Sequence, residues 1–168
     1  MFATSASLIC VPSDPLIAKT RSITASLISS SCEENKQHPI PDVYVNFTIN
    51  VKEDPEFFRL QNQGSVAIIT SSSIGALSLG YLNNGIIVYY AGDYEYMAFD
   101  RTCPHDLPAN IAVEIEDNFS ASATCPQCSS VYVFPSMGTP SVGSQSNWPL
   151  KEYKTIFNPN TGSLNVSN

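Results

Sequence analysis

The sequence predicts an all-β chain, an antiparallel β-sandwich or small barrel, and three observations carry that reading. Short runs that alternate apolar and polar residues, or are wholly apolar, recur from Asp42 onward. Turn-forming clusters separate them, and no stretch keeps the 3.6-residue period of a long helix. Regularly spaced short strands with polar turns build sandwiches and small barrels rather than parallel α/β sheets. No internal repeat is evident.

The first strand is DVYVNFTIN, where Val43, Val45, Phe47 and Ile49 fall on one face of a half-buried strand. DPEFFRLQNQG allows one short helical turn. SVAIITS, GIIVYYAG, EYMAFD, IAVEIE, SVYVF, YKTIFN and SLNVS then read as strands. Turn chemistry punctuates them at Asn83-Asn84-Gly85, Ala91-Gly92-Asp93 and Asn158-Pro159-Asn160-Thr161-Gly162. Tyr89, Tyr90, Tyr94, Tyr96 and Phe99 alternate on two adjacent strands, as core and edge packing does.

Composition narrows the function classes. The 168 residues suffice for one domain with a proper core, plus some non-globular sequence. A formal charge of −7 and a pI near 4.6 argue against nucleic acid, whose phosphates require a basic face. The same charge disfavours an anionic bilayer surface, unless something covalent anchors the chain. Only 14% of residues are charged, Pro numbers 12, and Ser, Asn and Thr are plentiful, the texture of an extracytoplasmic, loop-rich protein. No run approaches the roughly 18–20 apolar residues that span a bilayer. Five cysteines is an odd count, so a simple disulfide framework does not account for them.

Two of the five, Cys10 and Cys32, lie in the first fifth of the chain. Lys19 and Arg21 precede a short apolar run from Ile23 to Ile28, then small residues, then Cys32. This arrangement resembles a bacterial lipoprotein signal, in which the cysteine after small residues is lipidated and becomes the mature N-terminus. The resemblance implies a leader over residues 1–32, a polar linker over 33–41 with His38 solvated beside Pro39, and a folded domain over 42–168. It also implies attachment to the cell envelope, facing the periplasm or the surface, with the membrane reached only through a lipid on Cys32. The competing reading is a plain N-terminal tail with an incidental cysteine.

Chemistry concentrates in two loops. In FDRTCPHDLP, Cys103 and His105 are two apart; in ATCPQCSSVYVF, Cys125 and Cys128 are three apart. Each pair follows a predicted strand, YMAFD and the short SASAT. Each opening cysteine precedes a proline (Pro104, Pro126), which fixes the turn and removes a backbone donor. Side by side at one end of a sheet, such loops offer four ligands to one centre. Thiolate with imidazole suits zinc or an iron–sulfur cluster.

The order of these residues resembles the Rieske fingerprint, C-x-H followed after a spacer by C-x-x-H, here with Cys128 in place of the second histidine. The flanks resemble it too. Ser130 and Tyr132 hold the serine and tyrosine positions, with Ser129 where glycine is usual. MGTPSVGSQSNWPLKEYKT resembles the Rieske hairpin and proline-bearing cover loop, ending in Pro149, Leu150 and Tyr153. The likeness spans roughly residues 64–166.

It implies a Rieske-like fold with a cluster-binding subdomain, binding loops at 101–108 and 124–132, and a [2Fe-2S] cluster passing single electrons to a redox protein partner. Cys103 and Cys125 would hold the inner iron, with His105 and Cys128 on the outer one. Ser130 and Tyr132 would donate to sulfur. A third thiolate gives the oxidised cluster a net charge of about −1, which lowers the potential towards the roughly −400 mV of all-cysteine clusters. Gln127 stands where respiratory-chain relatives carry a stapling cysteine, so no disulfide clamp is implied.

Other readings of the same residues remain open. Cys103, His105, Cys125 and Cys128 also make a good zinc set. Cys125 and Cys128 alone could be a dithiol pair, although thioredoxin-like motifs open a helix and SSVYVF reads as strand. A degenerate fold without metal is the last alternative, and with zinc it would make a binding or structural module of the cell envelope. Trp148 could shield the centre or simply pack. Asp106 could orient His105 or be solvated. No nucleophile–base pair stands out, so the sequence does not support an enzyme.

Overall fold

The computed structural model describes residues 37–168. Within them the strands are β1 (Asn46–Asn50), β2 (Val66–Ile69), β3 (Ile86–Gly92), β4 (Glu95–Asp100), β5 (Ser122–Thr124), β6 (Val131–Val133), β7 (Thr139–Pro140), β8 (Glu152–Asn158) and β9 (Ser163–Ser167). All ladders are antiparallel. Six strands form one sheet in the order β1-β9-β8-β4-β3-β2, and β5-β6-β7 form a second, inserted between β4 and β8. The all-β, antiparallel expectation holds.

The large sheet bends at β8, whose first residues pair with β4 (Ala98↔Tyr153, Phe99↔Glu152) and whose remainder pairs with β9. Its concave face gathers Ile49, Ile86, Val88, Ala98, Tyr153, Leu164 and Val166 into one core. The expected face of β1 is there too, with Val45 and Ile49 buried and Val43 and Phe47 packed against them.

The other faces of β2, β3 and β4 are equally apolar. Val66, Ile87, Tyr89 and Phe99 point into a second core shared with Val113, Ala123, Tyr132, Phe134 and Leu150. That two-sided burial is why these three strands read as nearly continuous apolar runs. Tyr90 stacks on Tyr96 (4.5 Å between ring centroids) and Phe99 on Phe134 (5.9 Å), so the aromatics do pack.

Turns account for the connections. β3 and β4 join through Asp93 and Tyr94, whose φ values of 50° and 66° are those of a type I′ hairpin. Gly138 has φ 65°, and a Cβ there would lie 3.1 Å from both the Phe99 ring and Leu150, so glycine lets the hairpin seat on the second core. The expected helical turn is a 3-10 turn at Phe58–Gln61. One short helix escaped the sequence reading: α1 (Ser71–Ile74), with the Thr70 side chain accepting from Ser73 N and Gly75 ending it at φ 66°. No described helix is long and apolar enough to cross a membrane.

Two expectations need correction. IAVEIE is no strand; it makes single bridges, Thr102↔Ala112 and Glu114↔Thr124, because it crosses from the first binding loop to β5 and pairs briefly with each. His38 is not solvated: its Nε2 lies 3.0 Å from Pro149 O, its Nδ1 accepts from Ile40 N, and its ring meets Trp148 edge-on at 5.7 Å. Ile40 is buried, so packing reaches back ahead of Asp42. The expected leader, with Cys10 and Cys32, lies outside the described residues.

Candidate metal centre

Both ligand loops lie at the tip of the small sheet. The first leaves β4 at Asp100, a fully buried carboxylate that fixes its start. Asp100 Oδ1 accepts from Thr102 N (2.8 Å), and Oδ2 accepts from Tyr81 N and Tyr153 OH (both 2.7 Å). Burial, then the neighbouring Asp100 charge, pushes the Tyr153 hydroxyl well above its ordinary pKa, so it remains a donor. Cys103 N then donates to Ile111 O.

The second loop joins β5 to β6 as a tight turn, with Cys125 N donating to Ser130 O and Ser129 N to Cys125 O (both 2.9 Å). Ser129 takes φ 57°, the left-handed backbone that glycine adopts without strain.

The loops bring Cys103, Cys125 and Cys128 together as free, buried thiols. Cys103 Sγ is 3.7 Å from Cys128 Sγ. The Tyr132 hydroxyl is 3.2 Å from Cys103 Sγ, and Cys128 donates to Ser130 Oγ at 3.1 Å. Ser130 and Tyr132 are fully buried. Ser130 Oγ also accepts from Ser146 N, tying the cover segment to the second loop.

His105 stands at the rim, its side chain 39% exposed, with Nδ1 3.2 Å from Asp106 Oδ1. It is not among the ligand atoms that cluster. Those belong to Cys103, Cys125, Cys128 and Asp106, all within 4.8 Å of one another. Asp106 is nearly buried, and its Oδ2 accepts from Cys103 (3.5 Å) and Cys125 (3.2 Å). Its Oδ1 accepts from Gln127 Nε2 at 3.4 Å. Gln127 thus links the loops by hydrogen bond at the position where the related pattern carries a cysteine. Trp148 pairs with His38 and not with the thiols.

The electrostatics follow from burial. Desolvation raises the Cys103 thiol, against opposing hydrogen bonds from Tyr132 and the loop backbone, and raises Cys125 strongly. Tyr132 is pushed far up by burial and by Cys103. Burial also acts to raise Asp106. Hydrogen bonds from Cys128, Cys125, His105 and Cys103 outweigh it and hold this carboxyl below the usual range. Buried thiols of this kind would lose their protons to solvent when a metal cation bonds to the sulfurs and supplies the compensating positive charge.

The sequence singled out the three cysteines, Ser130 and Tyr132, and the fold joins them. It did not single out Asp106 as part of the centre, nor Asp100 and Gln127 as its supports. A carboxylate directly after the C-x-H pair was the one visible signal.

No family model matches the chain, and no curated protein matches it. Solved structures similar to it include the following two. One is described as a complex of reduced oxygenase and oxidized ferredoxin in carbazole 1,9a-dioxygenase: 16% identity over 63% of this chain and 82% of that one, TM-score 0.42. The other is a putative NADH-dependent nitrite reductase small subunit from Mycobacterium tuberculosis: 13% identity over 76% of this chain and 97% of that one, TM-score 0.41.

Proposed function

We propose that this chain is a Rieske-like electron carrier that holds a [2Fe-2S] cluster and exchanges single electrons with a redox protein partner, without chemistry on a substrate of its own. The observation that carries the reading is the set of three buried thiols with hydroxyls on two of them. Donor chemistry matches the group: soft thiolates inside, one imidazole at a rim open to solvent.

Cys103 and Cys125, both fully buried, would hold the inner iron; the rim residue His105 and Cys128 would hold the outer one. The bound cluster supplies one-electron redox chemistry. Once Cys103 and Cys128 are thiolates, the Tyr132 and Ser130 hydroxyls can turn to donate to them, which favours the reduced state. The Asp106 carboxylate, beside two of the sulfurs, acts the other way and lowers the potential. With the cluster bound, the exposed rim residue His105 would offer the route to a partner.

Anaerobically purified protein should be brown and contain iron and acid-labile sulfide in equal amounts. Colourless protein with zinc and no sulfide would overturn the reading. We also propose export with lipidation at Cys32, supported by Lys19, Arg21, the apolar run and the small residues before the cysteine. Mass spectrometry of protein from its native host should show an acylated chain starting at Cys32; an intact chain from Met1 without acyl mass would rule that out.

A further inference from the structure

The geometry points to a second use of the same thiols: Cys103, Cys125, Cys128 and the carboxylate of Asp106 form a tetrahedral site for one thiophilic divalent cation, of the zinc or ferrous class, in which Asp106 rather than His105 is the fourth ligand. This site shares the thiols of the proposed cluster but not its histidine.

Distances support it. Bonds of about 2.3 Å from sulfur to zinc place tetrahedral sulfur neighbours about 3.8 Å apart. The observed separation of Cys103 Sγ and Cys128 Sγ is 3.7 Å. With a carboxylate bond of about 2.1 Å, sulfur and oxygen neighbours lie about 3.6 Å apart. Asp106 Oδ2 is 3.5 Å from Cys103 Sγ and 3.2 Å from Cys125 Sγ. All four ligand atoms fall within 4.8 Å of one another, so the widest pair must close by about 1 Å to reach a tetrahedral edge.

The surroundings of Asp106 match a ligand rather than a solvated loop residue. Its side chain is 10% exposed, and its two oxygens face different ways. Oδ2 faces the thiols, while Oδ1 is held by His105 Nδ1 (3.2 Å) and Gln127 Nε2 (3.4 Å), one from each loop. A ligating carboxylate is ordinarily oriented by such hydrogen bonds to its other oxygen. His105 then acts as the positioning residue of the ligand. On binding, each thiol releases its proton to solvent as its bond to the ion forms, so Oδ2 loses its two donors and turns to the cation. Three thiolates and one carboxylate leave the occupied site anionic, and the two hydrogen-bond donors at Oδ1 suit that charge.

The test uses Co2+ as the probe, added anaerobically to the reduced full-length chain carrying Cys10→Ser and Cys32→Ser, so that only the three site thiols can bind. At saturation the wild-type site should show sulfur-to-cobalt charge-transfer bands and the strong visible bands of tetrahedral Co2+. His105→Ala should weaken binding, as loss of a positioning residue does, by about 10- to 100-fold, yet leave the saturated spectrum unchanged. Asp106→Ala should shift the visible bands, because water takes the fourth position. X-ray absorption of the wild-type Co2+ protein needs no variant and should show three sulfur and one oxygen scatterer without the outer-shell pattern of imidazole. Imidazole scattering, any shift of the saturated His105→Ala spectrum, or an unshifted Asp106→Ala spectrum overturns the inference. No sulfide is present in this experiment, so its outcome is independent of whether the iron–sulfur reading stands.

Discussion

The two cores of this molecule are built on opposite terms. The concave core of the large sheet rests on strands of five to seven residues, β1, β3, β4, β8 and β9, that pair over most of their length. Its buried side chains are almost all aliphatic or aromatic. The second core lies under strands of three, three and two residues, and three of its members are the cysteines of the candidate centre. Strands that short contribute little stability of their own. The first core rests on long ladders alone, whereas the second, under the proposed function, would gain further order from whatever the thiols hold.

The two cores should differ most in their response at Cys125, which is fully buried at the mouth of the second loop. Cys125→Ala should abolish the metal centre altogether. Hydrogen exchange should then quicken across residues 101–132 while the β1-β9-β8 ladder keeps its protection. If the whole domain loses protection at once, the two cores are a single cooperative unit.

The converse experiment empties part of the first core. Leu164 is fully buried and pairs with Ile49 on β1 and Phe157 on β8. Leu164→Ala should destabilise the fold by about 2–5 kcal/mol through lost burial and the cavity left behind. Metal content per folded chain should stay that of wild type, as measured by denaturant unfolding and metal analysis of the same samples. Loss of metal from folded protein would show that the large sheet positions the loops more tightly than the short strands suggest.

A third change alters the second core without emptying it. If Cys128 is a cluster ligand, Cys128→His restores a two-thiolate, two-imidazole pattern and removes one negative charge from the oxidised centre. The midpoint potential should rise by about 100 mV or more, an effect of about 2.3 kcal/mol or more for one electron. The potential should also become more dependent on pH, since a second imidazole can lose a proton on oxidation. Protein-film voltammetry reads both. An unchanged potential would remove Cys128 from the ligand set.

The same contrast decides what was legible in the sequence. Periodicity reports burial, so β1 could be read residue by residue, down to the single face of Val45 and Ile49. β2, β3 and β4 were legible as strands, but their apolar runs did not say that each face belongs to a different core. In the second core the ligand pairs were legible because cysteine and histidine at short spacing are rare outside such sites. Asp106 was not, since an aspartate after a loop histidine is usually solvated. Its place depends on the closeness of two loops whose openings, at Cys103 and Cys125, are separated by 21 residues that form no ladder between them. IAVEIE misled for the related reason that alternation can reflect a crossing segment with one face against a core. His38 was read from a proline-flanked, polar context, and only the fold shows it against Trp148 and Pro149.

The smallest expected effect concerns the seam where that upstream segment docks. Lys151 is nearly buried at the start of β8, and its ammonium donates to Ile40 O (3.1 Å) and to Asp42 Oδ1. The hydrogen bond from Lys151, then its charge, holds the Asp42 carboxyl below its ordinary pKa of 3.8. A carboxyl depressed in the folded state stabilises the fold above its unfolded pKa, and that contribution disappears as pH falls through the folded value. The window therefore lies below about pH 4, and because Asp42 is itself exposed the effect should be slight and screened by salt. Trp148, the one tryptophan of the chain, lies against His38 in the same seam and reports on it by fluorescence. On acid titration, wild type should show a small change in Trp148 emission below pH 4, before global unfolding, that Asp42→Asn lacks. Identical acid titrations of the two proteins would mean that Ile40 burial alone holds the segment, and that the seam belongs with the first core in depending on no charge.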